Sequence, residues 1–237
     1  PFGSDTASEP LNRIISDDLA RSGLFKPAQS IPEQPTNSAE VVFKVWQGLG
    51  VDYVVVGKVT PDANNTLTIQ YELVSSSQQK RVLGESMTIP TTRWREAAHF
   101  ISDRIFKHIT GMDGAFSSRV AYVLQYKREG VNRYRLEIAD ADGRQPNSVL
   151  DSSEPILSPS WSPDGQKIAY VSFESGKPAI YIQTLSNQQR QLIASFKGLN
   201  GAPAWSPDGQ KLALTLSQDG NPEIYVLELA NKKLTRL

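Results

Sequence analysis

Two rhythms of apolar and polar residues divide this chain. In "SEPLNRIISDDLARSG", Leu11, Ile14, Ile15 and Leu19 fall three and four residues apart. That spacing predicts a helix with one apolar face, with Ser8 placed to cap it and Gly23 to stop it. "SAEVVFKVWQGLG" predicts a second helix ending at Gly48 or Gly50. "VDYVVVGKVT" is a buried strand, and "NTLTIQYELVS" and "RVLGESMTI" are two more that pair with it as a meander. "TTRWREAAHFISDRIFKHITG" predicts a long amphipathic helix with Trp94, Ala97, Ile101, Ile105 and Ile109 as its stripe. Residues 1–112 therefore predict an α/β domain with helices packed on a sheet, and Gly111 to Gly114 mark the passage into residues 113–237.

Beyond that point only the strand rhythm remains, and it repeats. "SWSPDGQKIAY" begins at Ser160 and "AWSPDGQKLAL" at Ala204. Trp161 and Trp205, Gly176 and Gly220, Pro178 and Pro222, and Tyr181 and Tyr225 are each 44 residues apart. A period near 40–45 residues marks a β-propeller blade rather than a helical repeat. Ser-Pro-Asp-Gly is a turn in its own right: proline presets φ, the aspartate bonds nearby backbone, and glycine takes a positive φ. "KIAYVSF" and "KLALTLS" follow as strands, then "AIYIQTL" and "EIYVLEL", then short closing strands, giving four per unit. "VAYVLQYKREGVNRYRLEIADADG" is a degenerate earlier copy that lacks the Trp-Ser-Pro-Asp-Gly turn. The predicted architecture is an N-terminal α/β domain followed by antiparallel β-propeller blades, about two and a half of six.

Composition narrows the chemistry. The 237 residues carry 25 basic and 25 acidic side chains and no cysteine. Balanced charge leaves no footprint for nucleic acid or an anionic membrane. Lack of cysteine excludes disulfides, zinc-thiolate sites and cysteine nucleophiles. No run of residues is long and apolar enough for membrane insertion. His99 and Asp103 have the one-turn spacing of metal ligands but read as a solvated surface pair. His108 reads as partly buried beside the apolar stripe. Asp164 and Asp208 read as turn-makers, and Trp161 and Trp205 as packing between blades. There is no Gly-x-Ser-x-Gly elbow and no His-Glu-x-x-His. "GLGVDY" lacks the third glycine of a dinucleotide fingerprint and precedes a strand instead of following one. Asn64-Asn65-Thr66 is a glycosylation sequon by pattern, in a loop. No active site assembles from these residues, and no cofactor or metal is expected.

The combination of "LARSGLFKP", "LGVDYVVVGKV", "WREAAHFISDRIFKHITGMDGAFSSRVAYV" and the "WSPDG" units resembles the TolB family over essentially the whole chain. The resemblance implies an α/β domain followed by a six-bladed propeller. It implies a non-enzymatic adaptor in the periplasm, within the Tol-Pal cell-envelope system of Gram-negative bacteria. Such a protein binds the Pal lipoprotein through its propeller and TolA through an extended N-terminal segment. It supports outer-membrane integrity and cell division, and colicins exploit it. The family's Pal contacts lie on loops that lead into the innermost strands, just before each Trp-Ser-Pro. Carried onto this chain, those are Leu157, Ser158, Leu199, Asn200, Gly201 and Ala202, which also fit as channel-lining loop. The resemblance further implies that a signal peptide and the TolA-binding segment precede Pro1, that a closing strand follows Leu237, and that this chain is an internal fragment. A competing reading is the regulatory propeller of a serine peptidase, which a downstream Gly-x-Ser-x-Gly would support. A lectin-like propeller lacks a supporting acidic or aromatic cluster.

Overall fold

The computed structural model describes residues 9–28, 35–62 and 64–237. The chain divides into two compact units, Pro1–Ser118 and Arg119–Leu237.

The first unit is an antiparallel meander with helices against it. Strands β1 (Tyr53–Asp62), β2 (Thr66–Ser75) and β3 (Lys80–Pro90) lie in the order β1-β2-β3. Asn64 and Asn65, with φ of 65° and 56°, make the tight turn from β1 to β2. Asparagine tolerates the left-handed region that such a turn requires. Successive residues of β1 face opposite ways. Val59 joins Ile69, Tyr71 and Leu73 on the face covered by α1 (Glu9–Arg21) and α3 (Trp94–Thr110). Val54 and Val56 join Val74 on the other face, under Trp46 of α2 (Phe43–Gly48). In α1, Leu11, Ile14 and Ile15 are buried as the pattern predicts. Ser8, the expected cap, lies outside the described residues.

The second predicted helix is shorter than its sequence suggests. Ser38–Glu40 form one 3-10 turn, the chain then extends through Val41 and Val42, and α2 begins only at Phe43. Two adjacent β-branched residues are stiff at χ1 and suit extended backbone. Here extension also delivers Val41 to the pocket around Trp46. Gly111 ends α3 with φ 76° and donates its N–H to the Lys107 carbonyl. Residues 112–118, which follow it, stay with this unit. Asp103 accepts the backbone N–H of Phe116 and of Ser117 through its two oxygens, and Phe116 packs edge-on against Phe106.

The second unit contains three antiparallel sheets. The first is β4 (Arg119–Arg128), β5 (Val131–Asp140) and β6 (Asn147–Ser152). The second is β7 (Ile156–Trp161), β8 (Lys167–Ser172), β9 (Ala179–Thr184) and β10 (Arg190–Ala194). The third is β11 (Asn200–Trp205), β12 (Lys211–Leu216), β13 (Glu223–Glu228) and β14 (Leu234–Arg236). The degenerate first copy thus makes three strands and each complete repeat makes four. Leu136, Ile138, Ile156, Ile168 and Tyr170 form one core. Ala169, Val171, Ile180, Leu212, Leu214 and Tyr225 form the next. Alternate residues of β8 therefore serve two different cores.

Both Ser-Pro-Asp-Gly turns have the same bonds. Ser162 Oγ donates to Asp164 and accepts from Lys167 N; Ser206 does the same with Asp208 and Lys211. Gly165 and Gly209 take φ of 65° and 69°. The serine hydroxyl, with help from the Gln166 or Gln210 N–H, holds each aspartate below the usual carboxylate range. Trp205 Nε1 donates to the Ser160 carbonyl at 3.1 Å, tying the third sheet to the second. The matching Trp161 N–H has no acceptor among the described residues, because no strand there pairs with the free side of β4.

A charged cluster covers one face of the first sheet. Asp151 accepts from Tyr126 and from Arg133 and Arg135. The Tyr126 hydroxyl first, and Arg133 next, draw its pKa down to about 2. A folded pKa below the unfolded one stabilises at pH above about 4, and that contribution fades as pH falls from 4 towards 2. Asp151 is one-third exposed, so screening keeps the effect under about 1 kcal/mol. Asp151→Asn is expected to remove that part of the acid sensitivity, seen as a flatter urea midpoint between pH 4 and pH 2. Equal loss of stability on acidification in both proteins would contradict this.

Candidate functional site

The loop end of the second and third sheets is built by a repeated irregularity. In the second, Leu157 pairs with Val171 and Ser160 with Ala169, so two residues of β7 stand opposite one of β8. In the third, Gly201 pairs with Thr215 and Ala204 with Ala213, which is the same bulge. The extra residues are Ser158-Pro159 and Ala202-Pro203, at equal places in the 44-residue repeat. Proline has no N–H to give the ladder, so a bulge is where a strand can accept it. Ser158 and Ala202 have φ of 50° and 46°. Left-handed backbone costs a non-glycine residue roughly 1–2 kcal/mol. The surrounding sheet enforces this conformation twice, and a bulge re-aims the chain at a strand's end.

The six residues expected at this face differ in what they offer. Leu157 and Leu199 expose 50% and 41% of their surface, high values for leucine. Ser158 and Ala202 are also exposed, and Gly201 is half-buried beside the Leu199 side chain. Leu199 is pinned by its backbone: its N–H donates to Ser217 Oγ at 2.7 Å and its carbonyl accepts from Ser217 N. The neighbouring Gly198 has φ 78°, and a Cβ there would lie 2.4 Å from Ser217 Oγ. Asn200 offers a partner no surface. It is fully buried, in the repeat slot that Ile156 occupies in the second sheet. Its Oδ1 accepts from Phe196 N at 2.8 Å, and its Nδ2 donates to the carbonyls of Phe196 and Gly198. Asn200 therefore shapes the loop that carries Leu199.

The other singled-out residues separate. His99 and Asp103 do not form a solvated pair. His99 is buried, with Nδ1 2.7 Å from Asp18 on α1 and Nε2 3.3 Å from Arg95. Asp18 is buried too and also accepts from Arg21 at 2.6 Å. Asp103 is used on the backbone of residues 116 and 117. The partner of His99 lies 81 residues away, so helical spacing pointed to the wrong carboxylate. His108, expected to be partly buried, is exposed: it shares the helical face of Ile101 but lies in the last turn of α3, where Lys107 is exposed too. Sequence reasoning also missed the bulges, although the signal was present: a proline two residues before each tryptophan, at 159 and 203.

A family model described as the TolB beta propeller domain matches residues 106–237, more than half of the chain. The chain belongs to the TolB family. A second model, the TolB amino-terminal domain, matches residues 1–82. The chain is 48% identical over 202 residues to the Tol-Pal system protein TolB of Acinetobacter baylyi, covering 85% of this chain and 47% of that protein. The Xanthomonas oryzae pv. oryzae protein of the same name is 46% identical over 203 residues, covering 84% and 46%. A crystal structure of TolB from Acinetobacter baumannii superimposes with a TM-score of 0.91 at 44% identity. That match covers all of this chain and 58% of the other. The chain thus spans about half the length of its TolB relatives. Among the described residues no helix is long and apolar enough to cross a membrane.

Proposed function

We propose that this chain is part of a non-enzymatic periplasmic adaptor of the Tol-Pal system. Its propeller loop end docks the Pal lipoprotein, and the complex supports outer-membrane integrity and cell division. TolA engages a segment N-terminal to the described fold, and colicins act as parasitic ligands. The observation that carries the reading is the pair of enforced bulges at Ser158 and Ala202, beside the exposed Leu157 and Leu199. A surface whose backbone is already set loses little ordering entropy on binding. Apolar side chains held out of the core supply the contact area. Leu157, Ser158, Leu199, Gly201 and Ala202 form the contact, and Asn200 holds it in shape from below. The names of the relatives support membership of the Tol-Pal system.

The test is Ala202→Arg in the full-length protein, titrated calorimetrically with the soluble domain of the Pal lipoprotein. Alanine and arginine meet the same left-handed backbone penalty at this exposed site, so stability is expected to change little. A long cation on the docking loop is expected to weaken binding at least about tenfold, or 1.4 kcal/mol. Unchanged affinity with an unchanged melting curve would remove this face from the proposal.

A further inference from the structure

A cleft of about 490 Å³ opens between the second and third sheets at their Ser-Pro-Asp-Gly end, opposite the docking loops. We propose that it binds a small oxyanion, a carboxylate or phosphate group, between Lys167 and Lys232.

The argument starts from one repeated position. The first residue of the second strand of each repeat is a cation: Arg119, Lys167 and Lys211. In the first sheet Arg119 stands opposite Asp140, and in the third Lys211 stands opposite Glu228. In the second, Lys167 stands opposite Thr184. The repeat thus places an acid across from its cation twice and a neutral hydroxyl once. The residue without a facing acid is the one that lines the cleft.

The space follows from the same substitution pattern. At the junction of the first and second sheets, the Arg119 guanidinium lies over the Trp161 ring, 5.2 Å from its centroid. At the next junction the corresponding cation is the shorter Lys167, and the corresponding ring is Trp205. The Trp205 N–H is already given to Ser160, so the indole forms an apolar wall with Ile182 and Leu229. Lys232 enters from the turn between β13 and β14. No carboxylate lines the cleft, and neither lysine forms a salt bridge among the described residues. Asp164 attracts Lys167 at longer range but does not line the cleft, and its Oδ1 accepts from both Ser162 and the Gln166 N–H. Arg190 also borders the cleft, yet its guanidinium is committed to Glu174, Tyr170 and Tyr181. Two ammonium groups, the Thr184 hydroxyl and the Gln191 amide on an apolar wall suit a compact anion with an apolar body.

The test titrates this chain with inorganic phosphate and, separately, with acetate, following the Trp205 indole resonance by NMR. Sodium chloride at matched ionic strength serves as the control. Saturable shifts with either probe, absent with chloride, are expected; which probe binds more tightly tells phosphate from carboxylate recognition. Thr184→Glu restores the acid that the other two sheets carry, so it suits the fold, and it is expected to weaken binding at least fivefold. Lys232→Gln, at an exposed turn, is expected to do the same. Shifts that never saturate, that chloride reproduces, or that are unchanged in both variants would overturn the proposal.

Discussion

Replacing Asn200 with alanine is expected to destabilise the third sheet of the second unit by about 2–4 kcal/mol. The side chain makes three hydrogen bonds, to the N–H and carbonyl of Phe196 and to the Gly198 carbonyl. A buried polar group left without a partner costs roughly 1–3 kcal/mol. Some relief comes from water entering at Gly198, which is exposed. Urea unfolding reads the total, and hydrogen exchange at the Phe196 amide reads the lost bond directly. Asn200→Ile separates packing from hydrogen bonding, since isoleucine occupies this slot at position 156. It is expected to keep the strand packed yet deprotect Phe196 and loosen Leu199, and therefore to weaken the proposed docking at the loop end. Full protection of Phe196 in both variants would show that the amide does not hold the loop.

Ile101→Ala is expected to cost the first unit about 3–4 kcal/mol, while Ile109→Ala costs about 1. Both lie on the stripe of α3, but Ile101 is fully buried and Ile109 only half. Ile101 packs in the core that α1 and the sheet share, so truncation leaves a cavity closed on all sides. Ile109, near the helix end, leaves a gap that solvent and neighbours can fill. Because the chain has two compact units, a single global unfolding free energy would mix them. Amide protection in β2 is the proper readout. It should collapse in Ile101→Ala while protection in β8 and β12 stays high. Equal losses from the two substitutions would mean that the stripe is not graded from its centre outwards.

The α3 helix is also held at a polar edge. Arg104 pairs with Glu85 of β3, and Glu85 accepts from the Tyr71 hydroxyl. Burial, and then that bond to Glu85, push the Tyr71 phenol above its ordinary range. The helix is thereby joined to the two strands it covers by charge as well as by apolar packing.

What the sequence determined by itself is what depends on neighbours along the chain. The Ser-Pro-Asp-Gly turns close every bond within six residues, so their form is written in those residues alone. The meander of β1 to β3 follows from period-two alternation within three neighbouring segments. The 44-residue spacing encodes the repeated four-stranded sheets. Tertiary structure decided the rest. The partner of His99 came from another helix, because two buried polar groups must satisfy each other wherever the chain brings them together. Val41 left its predicted helix because burial beside Trp46 suits extended backbone better than a helical turn. Asn200, read as a contact residue, proved internal, because its repeat slot faces the core and only the loop's unpaired backbone makes a polar residue acceptable there. The lack of an acid opposite Lys167 became visible only through strand register, since pairing across a sheet joins residues 17 apart in sequence. Local hydrogen bonds are encoded locally; burial and cross-strand charge are properties of the assembled sheets.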